Sequence, residues 1–178
     1  MKFKLFCTLT LVGIFYFNTA GGFTIKEGNG DHFGVRNAVR IELLNEAKLD
    51  SLISTRTGNF LFINMGAPWC VPCREEFKDL IQLADFYEDK KVEVVAISVD
   101  YPDEIESKIK PFIESQKVNF KIYVQDFDRQ ENLINKLNTE WNGALPASFL
   151  YNHQGKQVAY LPGKHSFNEF KKIIDSLY

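Results

Sequence analysis

Cysteine is scarce in this chain, with three among 178 residues. Cys7 lies in the first apolar stretch, which leaves only Cys70 and Cys73 for the folded part. A small domain stapled by several disulfides is therefore excluded. Histidine is equally sparse. His32, His153 and His165 stand apart from one another, so neither a second Cys pair nor two closely spaced His complete a tetrahedral zinc site. The formal charge is only −2 and no basic stripe stands out, which argues against a nucleic-acid footprint. There is no internal repeat and no low-complexity tract. No Gly-rich phosphate loop sits beside a strand, so nothing calls for a flavin or nicotinamide.

What is present is ordinary globular material. Hydrophobic residues make up 45% and charged residues 25%, enough to build the core of one domain. The sixteen Phe are scattered, which reads as core packing.

The first 22 residues read as an address. Lys2 and Lys4 form a positive start, and the 13 residues "LFCTLTLVGIFYF" form an apolar run too short to span a bilayer. Ala20 to Gly22 supply small residues for cleavage before Phe23, with an alternative cut after Ala20. The pattern is that of a signal peptide over residues 1–22, and the expected location is the bacterial periplasm or the outer face of the membrane. Left uncut, the segment would serve as an N-terminal membrane anchor. No Cys follows the run where a lipoprotein signal would need one. Residues 23–38, Gly-rich and weakly patterned, read as an exposed leader, and residues 39–178 as the domain.

Within that domain, "VRIEL" (39–43) suggests a short strand and residues 45–55 a helix carrying Leu49, Leu52 and Ile53 at helical spacing. Gly58 and Asn59 mark a turn. "FLFIN" (60–64) and "VEVVAISVD" (92–100) are short continuous apolar runs, as expected of strands buried on both faces. Between them Phe77, Leu80, Ile81, Leu83, Ala84 and Tyr87 form the inward stripe of a helix. A helix over 102–116 is expected to kink or split at Pro111. A strand at 120–124, a helix at 131–138, a hairpin of 147–152 and 156–161, and a helix over 166–177 complete the chain. From Phe60 onward the order is β-α-β-α-β-α-β-β-α. That order implies an α/β fold with a central, partly parallel sheet and helices on both faces.

The pair itself sits in "GAPWCVPCREEF" (66–77). A loop closed across two residues removes little unfolded-state entropy, so stapling is a poor use for it. With metal disfavoured as well, redox chemistry is the best use left. The chain leaves a buried strand and enters a helix here, which puts Cys70 at the helix N-terminus. Unpaired backbone N–H groups and the helix dipole favour an anion there. Such positions lower a thiol pKa from about 8.5 to roughly 3.5–7.5, and the thiolate is the reactive species. Pro72 suits the first helical turn, where its missing N–H costs nothing. Trp69 is placed to cover one side of the sulfur or to pack in the core.

"WCVPC" at a strand-to-helix junction resembles the thioredoxin superfamily. The wider pattern is similar to the exported TlpA/ResA-like thiol-disulfide oxidoreductases, over roughly residues 39–178. "FLFINMGAPWCVPCREEF" resembles that group's strand, active site and first helix, and "GALPASFLYNHQGKQVAYLPG" its proline loop and closing hairpin. The resemblance implies a thioredoxin-like fold, a central mixed β-sheet flanked by helices, with an insertion (101–140) between the active-site βαβ unit and the hairpin. It implies a cis Leu145–Pro146 bond facing a redox disulfide of Cys70 and Cys73. Substrate would be held by Trp69, Pro72, Leu145 and Pro146. Glu76, on the same helical face as Cys73, would act as its general acid/base. The position of the buried Asp of plain thioredoxins is taken by Asn64, which does not titrate. The resemblance further implies disulfide-containing client proteins and a membrane electron-donor protein. It implies no cofactor and the reductase direction, some relatives serving apocytochrome c assembly. Two features depart from the pattern. Lys78 stands where a helix-kinking proline is common, and Met65–Gly66 replaces an aromatic–Trp pair, which should leave the site more open.

Two rival readings remain at this stage. A peroxidase of the peroxiredoxin group would want a Thr where Ala67 stands. A non-enzymatic binding or copper-delivery module would space its cysteines one residue wider and add a distant His.

Overall fold

The computed structural model describes residues 39–54 and 59–177. The expected signal, leader and anchor, together with Cys7, His32 and Gly58, lie outside the described residues. Among the described residues, no helix is long and apolar enough to cross a membrane.

The fold grows around "FLFINMG". This stretch forms strand β2 (Phe60–Gly66), whose residues Leu61 to Met65 are all buried. A strand apolar on both sides needs partners on both edges and cover on both faces. It pairs in parallel with β3 (Val92–Ser98) and antiparallel with β5 (Ala147–Tyr151). β3 pairs in parallel with β4 (Lys121–Gln125), and β4 in parallel with β1 (Ile41–Leu44). On the other side β5 turns back into β6 (Gln157–Pro162). The result is one six-stranded mixed sheet in the order β1-β4-β3-β2-β5-β6. The hairpin turn holds Gly155 at φ +74°, and a Cβ there would meet the Ile53 carbonyl oxygen at 2.8 Å. Only glycine fits without a shift.

Successive strand residues point to opposite faces, so β2 feeds two cores. Phe62 packs with Phe77, Leu80 and Leu83 of helix α2 (Val71–Tyr87), with α3 (Lys110–Gln116), and with Phe170 and Ile174 of α5 (Phe167–Leu177). The Phe62 and Phe170 rings meet edge to face with centroids 5.0 Å apart. Leu61, Ile63 and Met65 face the other way, toward Leu49 of α1 (Glu46–Ser54) and Leu133 and Leu137 of α4 (Gln130–Leu137). Truncating a side chain such as Leu80 to alanine should cost about 2–5 kcal/mol.

The helix after β3 differs from expectation in detail, whereas α2 does not. α2 runs unbroken from Val71 to Tyr87, with Lys78 inside it. The helix expected over 102–116 divides into a 3₁₀ turn (Pro102–Glu104), a π-helical turn (Ile105–Ile109) and then α3. Pro111 sits in the first turn of α3, where the absent N–H and the fixed φ are tolerated. The irregularity therefore precedes the proline.

Candidate active site

β2 ends at Gly66, and a turn closed by the Cys70 amide on the Ala67 carbonyl (3.1 Å) leads into α2. Cys70 is the N-cap of that helix, in extended conformation (φ −77°, ψ 109°), and Pro72 lies in the first turn. Cys70 and Cys73 form a disulfide with Cα atoms 5.2 Å apart. The Cys73 amide donates to Cys70 Sγ at 3.3 Å, so an orphan helix N–H is aimed at the first sulfur. Both cysteines are buried, and they cluster with Ala67 against Val99 and Leu145.

Leu145 and Pro146 lead directly into β5, the neighbour of β2 in the sheet, and the bond between them is cis. The buried Pro146 accepts from Gly163 through its carbonyl (2.9 Å), and Leu145 packs on the disulfide cluster. The loop ahead of them is braced by Trp141, whose Nε1 donates to the Ala144 carbonyl at 2.8 Å. Pro72 is exposed. Trp69 is 61% exposed and so lies outside the core. Its Nε1 donates to Oδ1 of the buried Asp100 at 3.1 Å, and Ser98 Oγ donates to the other oxygen at 2.5 Å.

Glu76 faces inward on α2, in line with Cys73 and Phe77, and is 0% exposed. The His165 amide donates to Oε1 at 3.1 Å and Asn64 Nδ2 reaches Oε2 at 3.4 Å. Burial away from water pushes its carboxyl from 4.5 up to about 7, outweighing the His165 and Asn64 hydrogen bonds that favour the ionised form. Asp79 adds to the rise and Lys164 opposes it. A carboxyl poised near neutrality beside a thiol is suited to taking and returning a proton.

Sequence reasoning had located the cysteines, Glu76 and the cis-proline. It missed the amide of His165, the hydroxyl of Ser148, which accepts from Asn64 Nδ2 at 3.0 Å, and the carboxylate of Asp100. Ser148 had one available signal: it lies two residues beyond Pro146 in a strand that pairs with β2. His153 and His165 remain apart from the cysteines' cluster. Among the described residues no three His, Cys, Asp or Glu side chains are arranged to hold a metal.

A mixed sheet with a Cys-x-x-Cys disulfide capping its long helix, opposite a cis-proline, defines a thioredoxin-like protein. The chain belongs to the AhpC/TSA family, whose model matches residues 36–160. It is 28% identical over 120 residues to the thiol-disulfide oxidoreductase ResA of Geobacillus thermodenitrificans, covering 67% of this chain and 64% of that one. It is 34% identical over 149 residues to ResA of Bacillus subtilis, covering 81% and 72%. The chain thus spans a little under two thirds of the Geobacillus relative. Among solved structures, a thioredoxin-family thiol:disulfide interchange protein from Chlorobium tepidum superposes with a TM-score of 0.56. Its identity is 23%, with coverage of 67% of this chain and 79% of that one. A DsbF homologue from Corynebacterium diphtheriae gives 0.57 at 24%, with 68% and 74% covered. These two likenesses speak to the fold.

Proposed function

We propose that the protein is an exported thiol-disulfide oxidoreductase that reduces disulfides in client proteins through Cys70 and Cys73. The observation that carries this reading is the Cys70 sulfur at the N-cap of α2, receiving the Cys73 amide while bonded to the Cys73 sulfur.

In the reduced protein, the Cys70 thiolate attacks one sulfur of a client disulfide. A mixed disulfide forms and one client thiolate leaves. Glu76 takes the proton of Cys73, whose thiolate then attacks Cys70 Sγ and displaces the second client sulfur. The client takes up two electrons, with one proton returned from Glu76 and the other drawn from water, and the Cys70–Cys73 bond is restored. Trp69, Pro72, Leu145 and Pro146 flank the entering client. The backbone beside a cis-proline suits pairing with an extended segment. A membrane electron-donor protein returns two electrons to the pair, since an exported domain has no access to cytosolic reductants. Ala67 in place of a threonine speaks against peroxide as the substrate.

The test is insulin reduction by the purified protein and by Cys70→Ser, with a glutathione redox titration of the pair. The expected result is turnover lost with the Cys70 sulfur and a potential in the reducing part of the range of about −270 to −120 mV found for related dithiols. Equal turnover by Cys70→Ser would overturn the mechanism, and a potential at the oxidising end would reverse the direction. Export is tested by sequencing the N-terminus of the protein recovered from fractionated cells. Cleavage before Phe23 or after Ala20 supports it, and a cytosolic protein retaining Met1 refutes it.

A further inference from the structure

Asn64 holds an amide whose two ends face different chemistry. It is 3% exposed, and its partners Glu76 and Ser148 are 0% exposed. Nδ2 is shared between Ser148 Oγ at 3.0 Å and Glu76 Oε2 at 3.4 Å. Oδ1 meets no protein donor among the described residues. Asn64, Gly66 and Cys73 line the same small apolar pocket beneath α3. A Cβ placed on Gly66 would lie 3.7 Å from Asn64 Oδ1 and 3.6 Å from Cys73 Sγ. The oxygen and the sulfur therefore look onto one space, which Gly66 leaves empty. A buried acceptor with no donor is costly, and this one borders the pocket that Cys73 also lines.

We infer that the Asn64 amide is a reversible coupling between Cys73 and Glu76, turning over about its last side-chain bond as the proton moves. This rests on the proposed dithiol cycle. While Glu76 is ionised, Nδ2 donates to the carboxylate and to Ser148, and Oδ1 accepts from the Cys73 thiol. Once the proton has passed from Cys73 Sγ to the Glu76 carboxylate, the amide reverses. Oδ1 then accepts from the new carboxyl O–H and from the Ser148 hydroxyl, and the NH₂ faces the Cys73 thiolate. Sulfur loses one proton, the carboxylate gains one, and the amide carries none. An aspartate at position 64 could not do this, because a carboxylate has no N–H to offer an ionised Glu76. The hydroxyl of Ser148 suits both states because it both donates and accepts.

Other groups bear on Glu76 without taking this part. Glu75, Lys78 and Asp79 share α2 with it, and Lys164 and the His165 imidazole belong to the β6–α5 loop. The residues brought by β2 and β5, Asn64 and Ser148, do not ionise.

Protonation of Glu76 alone should turn the amide, so the oxidised full chain can be tested without any turnover. In isotope-labelled protein, the Asn64 side-chain amide protons should show NOEs to Ser148 and Glu76 well above the Glu76 midpoint of about 7. Well below it, the NOEs should move to Gly66 and Cys73, with the midpoint seen in the Glu76 carboxyl ¹³C shift. Identical NOEs at both extremes would overturn the inference. In the reduced protein, folded Asn64→Leu should raise the pH–rate limb belonging to Glu76 and slow exchange about tenfold at neutral pH. Ser148→Ala, which loses the hydroxyl that both orientations use, should also displace that limb, and it serves if Asn64→Leu does not fold. An unmoved limb in the folded variant refutes the coupling. Absence of any disulfide exchange by the unaltered protein refutes the proposed function and leaves the NOE result to stand by itself.

Discussion

The main-chain amide of His165 donates to Oε1 of Glu76 across 3.1 Å, joining residues 89 positions apart. The loop that supplies it also donates from Gly163 to the Pro146 carbonyl at 2.9 Å. The β6–α5 loop thus ties the acid on the Cys73 face of α2 to the cis-proline that follows Leu145. Lys164 adds an exposed ion pair with Glu75 at 2.6 Å, and Asp79 Oδ1 accepts from the Phe167 amide at the start of α5. The loop is held at several points, which fixes the part of the Glu76 surroundings that the loop supplies.

That surrounding makes stability depend on pH. The Glu76 carboxyl is raised in the fold from 4.5 to about 7. A raised group contributes stability that is complete below its unfolded value and lost as pH climbs through the folded one. The loss should be on the order of 3 kcal/mol. Chemical denaturation of the oxidised protein across this window should show the unaltered chain weakening relative to Glu76→Gln as pH rises from 4.5 to above 7. Parallel curves for the two proteins would mean that Glu76 titrates in the ordinary carboxylate range.

Replacing Cys73 by serine leaves Cys70 at the N-cap with the residue 73 amide still directed at it. Attack on a client should proceed, and resolution should not. Cys73→Ser is expected to accumulate a mixed disulfide with the client, visible on non-reducing gels and released by dithiothreitol. Steady-state turnover should fall about a hundredfold or more, because only exogenous thiol can resolve the adduct. Failure to trap any adduct would remove Cys73 from the resolving role.

How much of this was legible beforehand depends on whether the cause was local. The strands at 60–64 and 92–100 and the inward stripe of α2 follow from apolar patterning, and each was placed within a few residues. Cys70 at a helix start follows from the strand-to-helix order and Pro72. The π-helical turn at Ile105–Ile109 left no periodic trace, because it resolves how a short helix packs under the sheet. Asn64 was visible only as a missing aspartate. Its work depends on Ser148, which faces it across the β2–β5 ladder, and on Glu76, twelve residues away. The burial that lifts the Glu76 carboxyl is likewise a product of the assembled fold; helical spacing from Cys73 separates Glu76 from Glu75 but carries no information on its pKa.

Trp69 combines exposure with restraint. An indole that is 61% exposed would ordinarily sample several rotamers, yet its N–H is held by the buried Asp100. A large apolar ring kept in place beside Cys70 costs a partner little entropy to bind. Trp69→Ala should lower kcat/KM toward protein disulfides about tenfold. It should leave reaction with a small aromatic disulfide within about twofold, since that substrate needs no docking surface. Trp69→Phe, which keeps a ring and loses the N–H, should fall between. Equal losses on large and small substrates would place the effect on the sulfur chemistry instead.

Gly66 is the most direct handle on the space around Cys73. It is not among the glycines with positive φ, so no backbone conformation demands glycine there. A Cβ there would lie 3.4 Å from Cys73 Cβ and 3.6 Å from Cys73 Sγ, ordinary van der Waals distances. Gly66→Ala should therefore be accepted and should stabilise the protein by about 0.4–1 kcal/mol, through the lower entropy of its unfolded chain. Gly66→Val carries two more carbons into the space shared by Cys73 and Asn64, where the second sulfur must move to attack the first. Rapid-mixing kinetics should then show formation of the mixed disulfide nearly unchanged and its resolution slowed. If both steps slowed together in Gly66→Val while Gly66→Ala stayed normal, the crowding would be reaching Cys70, and the open space beside Cys73 would not be serving resolution.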